Sequence, residues 1–294
     1  STTLTWHCER YGVADLVQSG QLGLITGGAM PPGWPGLRWE HFLTQPLRFP
    51  ENCDAVAQSN CINTANPRPY TFLFLNGRAR PHRRELIAEF DRRGLLDRAL
   101  WSNLDWGSGA VRLLPPEYEV PRYAGNTVTA QSGLIKAERF GGEWGEIYIH
   151  LPAYRDTVFS VVTETIWDDP WSFFTEKIAK PLTIGHAFVV AANAGYLRDL
   201  RELGFQTFSG IIDESYDDIV NGAERIQAIA DTVQQIVDLP QDQFLAACEP
   251  RCKYNQQHHR EMAVQVRKEF PSRFQQFLNE RSRIPPAGAG QVIT

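Results

Sequence analysis

From residue 70 onward, short apolar runs alternate with amphipathic stretches, and the periods of the two predict strand and helix in turn. Residues 70–75 form an apolar run ended by Asn76-Gly77, the pattern of a buried strand; Pro81 then opens a helix that Gly94 can close. Residues 99–104, 146–151 and 157–163 are again strand-like, the last stopping at Glu164. Thr175 suits a helix N-cap, Ile178 and Leu182 share a face four residues apart, and Gly185 suits the C-terminal cap before an apolar strand at 187–190. An amphipathic helix follows over 195–203, stopped by Gly204. This alternation predicts an α/β fold with a mainly parallel, Rossmann-type sheet.

Either side of this region the pattern changes. The first 70 residues are punctuated by Gly27-Gly28, Pro31-Pro32-Gly33 and Asn66-Pro67, which predicts a small irregular α/β region at 1–69. Residues 105–145 carry many Gly, Pro and aromatic residues with no sustained period, as an insertion between core elements would. Downstream, 215–237 and 241–248 read as helical, 257–283 as a long amphipathic helix bent at Pro271, and 285–294 as a mobile tail. The expected organisation is therefore 1–69, a Rossmann-like domain over 70–240, and C-terminal helices with the tail over 241–294.

A chain of 294 residues with 43% apolar content buries a sizeable core. Its net charge of −5 argues against bulk binding to nucleic acid or to an anionic membrane. No run approaches the ~18 apolar residues of a membrane helix, and residues 1–9 lack the layout of a secretory signal, so the expected compartment is the cytoplasm. Five cysteines without framework spacing read as reduced thiols. Cys248, Cys252, His258 and His259 have a spacing outside the common zinc patterns, and two helix-borne thiols beside two exposed imidazoles is the preferred reading. No metal or other cofactor is expected.

Against this acidic background two basic segments stand out. A helix N-terminus already carries about half a positive charge, yet Lys177 and Lys180 lie in the first turns of the helix capped by Thr175. An anion resolves the conflict: backbone N–H groups and lysine hold a phosphate, while Glu176 accepts from neighbouring hydroxyls such as those of a ribose. The second segment follows the strand at 70–75, where Asn76 leads into Arg78, Arg80, His82, Arg83 and Arg84, five basic residues in seven positions. Ligands of open α/β sheets bind at that strand edge, and arginine forks suit a diphosphate. Arg78, Arg80 and Arg83 are the candidate ligands, and several of the five are expected to face solvent. Both segments therefore point to a nucleotide-sugar site, provided they meet in one crevice.

Glu164, at a strand end, faces the same crevice as Glu176 and is a candidate base or nucleophile, against a structural role as a cap or partner of Arg83 or Lys180. Asp213 and Glu214 are further candidates, although helix capping accounts for both. Asp168-Asp169, ahead of Pro170, reads as a turn. One or two of the eight tryptophans are expected to line an acceptor groove.

The stretch Phe174-Thr175-Glu176-Lys177, followed by a helix, Gly185 and an apolar strand, resembles the nucleotide-sugar motif of fucosyltransferases of the GT-B type. The wider set, Val162-Thr163-Glu164-Thr165, Lys180-Pro181-Leu182, Tyr196-Leu197-Arg198-Asp199-Leu200, Leu203-Gly204-Phe205, Thr207-Phe208 and Asp213-Glu214-Ser215-Tyr216-Asp217, is similar to that of small glycosyltransferase-like proteins of bacteriophages and bacteria. So is the loop from Leu75 to Arg83. The likeness spans about residues 70–225 and leaves the N-terminal region unmatched. It implies metal-independent transfer of a sugar from a nucleotide donor to a glycan or other hydroxyl acceptor. Glu176 would meet the ribose, Lys177 the phosphates and an arginine of the 78–83 loop the second phosphate, giving Glu164, Lys177 and Arg78 the catalytic roles. Two other readings compete: a metal-dependent GT-A-type transferase using Asp168-Asp169, and a non-catalytic nucleotide- or glycan-binding module.

Overall fold

The computed structural model describes residues 10–20, 22–27, 36–48, 52, 67–105, 107, 109–118 and 148–282. Its centre is a four-stranded, wholly parallel sheet of β3 (Tyr70–Asn76), β4 (Ala99–Asn103), β5 (Thr157–Thr163) and β6 (Ala187–Ala191), in the order β4-β3-β5-β6. These strands are continuous apolar runs because helices cover both faces. Along β3, Phe72 and Phe74 pack on Phe90 of α3 (Pro81–Arg92), whereas Leu73 belongs to a second cluster with Tyr154 of α4 (Leu151–Arg155) and Ile184 of α5 (Glu176–Ile184). Phe72 lies opposite Phe159 of β5 with ring centroids 5.6 Å apart. From β3 the chain steps outward to β4, then crosses back to place β5 and β6 on the other side. The order reverses between β3 and β5, and the crevice of such a sheet opens at that reversal.

Further helices complete the layers: α6 (Tyr196–Glu202), α7 (Gly222–Val237), which packs on α3, and α8 (Gln241–Ser282), which packs on α5. Where two separate helices were expected over 241–283, α8 runs unbroken through Pro250 and Pro271. Its buried stripe explains the continuity, since Phe244, Cys248, Cys252, Asn255, His259 and Ala263 recur every three or four residues across the expected gap. That stripe offsets the hydrogen bonds the prolines remove. His259, expected to be exposed, is fully buried: Nε2 donates to the Leu43 carbonyl at 2.8 Å, and His258 Nε2 lies 2.8 Å from the Leu203 carbonyl.

Two other expectations change. Residues 148–150 form no strand, and the chain enters α4 at Leu151; Pro152 sits in the first turn, and the Ile149 N–H donates to Asn52 Oδ1 rather than to a neighbouring strand. Over 215–237, a short 3₁₀ turn (Ser215–Asp218) is separated from α7 by Asn221, whose Oδ1 caps the N–H groups of Ala223 and Glu224. Residues 119–147, most of the expected insertion, and the tail at 285–294 lie outside the described residues.

The N-terminal segment contributes the helix α1 (Ala14–Gln18), the strands β1 (Leu24–Thr26) and β2 (Gly36–Arg38), a two-stranded parallel pair, and the short helix α2 (His41–Thr44). It is held by the far end of the chain: Trp39 stacks on Phe270 at 3.9 Å, and Arg273 and Arg281 of α8 donate to the carbonyls of Arg38 and Gly20. The two expected boundaries are likewise joined, because Arg68 and Gln241 bond each other through main chain and side chain. Among the described residues no helix is long and apolar enough to cross a membrane.

Candidate functional site

At the reversal between β3 and β5, Asn76 and Thr163 close the two strand ends on each other. Asn76 Oδ1 accepts from Thr163 Oγ1 at 2.9 Å, while the buried Asn76 Nδ2 has no partner among the described residues. The loop at 77–80 then turns into α3, with Arg80 at the N-cap and Pro81 at the first helical position. Arg83 is 3% exposed and folds this loop onto β5: Nη1 donates to the Arg78 carbonyl at 2.6 Å, and Nη2 to the carbonyls of Thr163 at 2.8 Å and Glu164 at 3.3 Å. Burial pulls its pKa down to about 10, against the pull of Glu164, so it stays charged at neutral pH.

Arg83 is therefore a strut with its charge engaged by carbonyls, rather than the open ligand expected. His82 differs from expectation as well. Burial and the neighbouring Arg83 lower its pKa to about 4, so the ring is neutral, donates to the Glu164 carbonyl at 3.1 Å and stacks on Trp167. Arg84 pairs with Asp105 at 2.5 Å. Arg78 is exposed and Arg80 half-buried, and the side chain of neither makes a hydrogen bond or ion pair with a described residue.

Opposite this loop stands the start of α5. Thr175 caps it, Oγ1 accepting from the Lys177 N–H at 3.2 Å. Thr175 is itself fixed by Glu164, which has no exposed surface. Glu164 Oε1 accepts from the Thr175 N–H (3.2 Å) and the Tyr196 hydroxyl (3.1 Å), and Oε2 from Thr175 Oγ1 (2.7 Å) and the Thr165 N–H (3.3 Å). Burial raises its pKa, partly offset by Lys177. With four donors on one carboxylate, every acceptor position of Glu164 is filled, and it acts as an anchor for α5 and α6.

Lys177 Nζ donates to Glu176 Oε1 at 2.8 Å, Thr175 Oγ1 at 3.2 Å and Thr165 Oγ1 at 3.4 Å. Against the upward push of burial, Lys177 and Lys180 together hold the Glu176 carboxyl below the usual range. Part of the charge conflict seen in the sequence is thus met internally. Beside these groups a cleft of about 60 Å³ runs between β3, β5 and α5, lined by Leu73, Leu75, Val162, Thr163, Lys177 and Lys180 among others.

The two basic segments are joined through Glu164, whose carbonyl accepts from Arg83 and whose carboxylate accepts from the Thr175 N–H and hydroxyl. The cleft is lined by Lys177 and Lys180 and by no residue of the 78–84 loop. Asp213 and Glu214 serve elsewhere: Asp213 Oδ1 caps the Ser215 N–H at 2.9 Å, and Glu214 accepts from the Phe208 N–H, Thr207 Oγ1 and Arg201. Asp168 lies near Gly222 and the Arg225 guanidinium.

Three contributors were not foreseen. Tyr196 reaches Glu164 from the first residue of α6. Arg225 lies over the Trp167 ring at 4.0 Å and donates to the carbonyls of Trp167, Ile219 and Val220, pinning the loop between β5 and α5; an arginine within the apolar face of α7 was its trace in the sequence. Glu40 is the third, buried beside Arg38 with nothing in its local pattern to mark it. Comparison of the chain with models of protein families, with curated proteins and with solved structures finds no match.

Proposed function

We propose that this chain is a nucleotide-sugar-dependent glycosyltransferase of GT-B-like build, which passes a sugar to a glycan or other hydroxyl acceptor. The observation that carries the reading is that, at the order reversal of a parallel sheet, the Arg78–Arg80 loop and the capped N-terminus of α5 are both tied to Glu164, the first through Arg83 and the second through Thr175. In this reading the diphosphate lies across that gap. Arg78 and Arg80 meet one phosphate, Lys177, Lys180 and the N–H groups of α5 the other, and Asn76 Nδ2 supplies a neutral donor. Glu176 takes the ribose hydroxyls. As the bond to the anomeric carbon breaks, charge gathers on the leaving phosphate, and fixed cations lower that barrier; one such donor is commonly worth about 10²- to 10³-fold in rate. Glu164 acts through Thr175 and Lys177 as a positioning residue.

Thermal shift against GDP, UDP, CMP and their sugars tests this directly, since a ligand of the native state at 100 times its Kd stabilises by about 2.7 kcal/mol. Lys177→Ala should lower the midpoint of the apo protein modestly, since Glu176 loses its cation, and should lose most of the nucleotide shift and lower transfer by roughly 10²-fold or more. No response to any nucleotide, or an undiminished response in the variant, overturns the reading. One observation favours a second reading, a nucleotide-binding module without catalysis: the carboxylate at the strand end has every acceptor position filled. Donor hydrolysis without acceptor separates the two, and transfer abolished by a chelator would return the metal-dependent reading through Asp168-Asp169.

A further inference from the structure

The segment Arg38-Trp39-Glu40 carries an unusual concentration of unmet hydrogen-bonding capacity. Arg38 Nη2, Trp39 Nε1 and Glu40 Oε2 are all buried, and none has a partner among the described residues. Isolated unmet groups of this kind cost about 1–3 kcal/mol each, so three in consecutive residues require a reason. The segment is otherwise held firmly. The Trp39 N–H donates to the Thr26 carbonyl at 2.7 Å, the Glu40 carbonyl accepts from Thr44 Oγ1 at 3.0 Å, and Glu40 Oε1 pairs with Arg38 Nε. It also abuts the approach to α5: the Arg38 guanidinium lies over the Phe174 ring at 5.9 Å, and Phe42 meets Phe173 edge-on at 5.4 Å.

The unmet set comprises two donors and one acceptor, flanked by aromatic rings. The group that satisfies both signs at once is a hydroxyl, which accepts from Trp39 or Arg38 and donates to Glu40. We infer that Arg38, Trp39 and Glu40 form the acceptor subsite, with Glu40 as the catalytic base that takes the proton of the attacking hydroxyl; this rests on the glycosyltransferase reading above. In the step, the acceptor oxygen bonds the anomeric carbon of the nucleotide sugar as its proton passes to Glu40 Oε2. The bond from that carbon to the phosphate oxygen breaks, and its electron pair leaves with the phosphate. Glu40 is 5% exposed, and burial raises its pKa against the pull of Arg38 and Arg273, the direction that suits a base. Glu164, with every acceptor position filled, has no comparable capacity.

Glu40→Gln preserves the shape of the side chain and an oxygen for Arg38; Trp39→Phe preserves the stack on Phe270 and removes the indole N–H. Both full-length variants are compared with the wild type for GDP- and UDP-induced thermal shift and for transfer to methyl glycosides of glucose, galactose, mannose and N-acetylglucosamine. The nucleotide shifts should be retained in both. Transfer should fall by about 10²-fold or more in Glu40→Gln, the usual range for a lost base, and Trp39→Phe should raise the glycoside KM more than it lowers kcat. Transfer by Glu40→Gln within about twofold of wild type overturns the inference, as does loss of the nucleotide shift together with transfer, which marks a defect of the fold or the donor site. If the wild type binds none of the nucleotides, the donor reading fails by itself. The subsite then stands only if methyl glycosides raise the wild-type midpoint and leave that of Trp39→Phe unmoved; no glycoside response in the wild type overturns it.

Discussion

Glu164→Ala isolates the anchor on which the geometry of α5 depends. The substitution strips four donors of their acceptor, namely the N–H groups of Thr165 and Thr175 and the hydroxyls of Thr175 and Tyr196, in a place with no solvent access. Each donor left unmet costs about 1–3 kcal/mol, but Thr175 and Tyr196 can rotate and water can enter the space, so the terms do not add; a net loss of about 4 kcal/mol is expected. Unfolding entropies near 2.1 cal/mol/K per residue give roughly 0.6 kcal/mol/K for 294 residues, hence a fall in Tm of about 6–7 °C. Glu164→Gln keeps one accepting oxygen and should lose about half as much. The pH dependence has a definite sign. Burial raises the folded pKa above its ordinary 4.5, so the group's contribution is fully present below that value and is lost as pH rises through the folded pKa. The deficit of the alanine variant, read by calorimetry, should therefore widen as pH is lowered from neutrality. A loss below about 1 kcal/mol refutes the anchor, and a deficit that grows with rising pH would mean that Lys177 outweighs burial.

Two further expectations concern the frame around the site. Burial lowers the pKa of His82 to about 4, His186 to about 3 and His259 to about 4, so each binds its proton more weakly folded than unfolded; their contribution is present above the ordinary 6.5 and is lost as pH falls toward 4. Tm should drop steeply across that window, less so in His186→Asn, and a flat profile from 6.5 to 4.5 would contradict it. Arg225→Met removes donors to the carbonyls of Trp167, Ile219 and Val220 and the cation over the Trp167 ring, and should cost about 3 kcal/mol in urea unfolding with altered tryptophan emission; an unchanged midpoint would deny the loop its strut.

The parts of the fold legible in the sequence are those where local chemistry and tertiary packing agree. The run at 70–75, the Thr175 cap and Gly185 are such places, and Gly185 takes a φ of 69° that a side chain would oppose. The continuity of α8 through Pro250 was not legible, because it depends on a stripe that packs against α5 and the N-terminal segment, distant in the chain. Likewise the pattern at 146–151 suits a strand equally well until Asn52 takes the Ile149 N–H. At the site, composition located the cations, yet it could not separate those engaged by carbonyls from those left open. That sorting depends on where the end of β5 lies relative to α3, which no local window contains.

The sorting also changes what the functional reading rests on. Opposition to a helix dipole was the reason to expect an anion, but Arg83 and Arg84 find partners in Thr163, Glu164, Arg78 and Asp105, His82 is neutral, and Lys177 turns back to Glu176. Half of the conflict therefore has an internal resolution, and an undirected excess of positive charge no longer argues for a ligand. What persists is narrower and geometric. Arg78 and Arg80 stand at the mouth of the sheet's reversal without a counter-charge among the described residues, and Asn76 below them keeps a buried amide group unpaired. Arg83 is the part that holds their loop over the end of β5. In the proposed reading, donors held in this way are the preorganisation that charge on a leaving phosphate requires, since they need no reordering when the bond breaks.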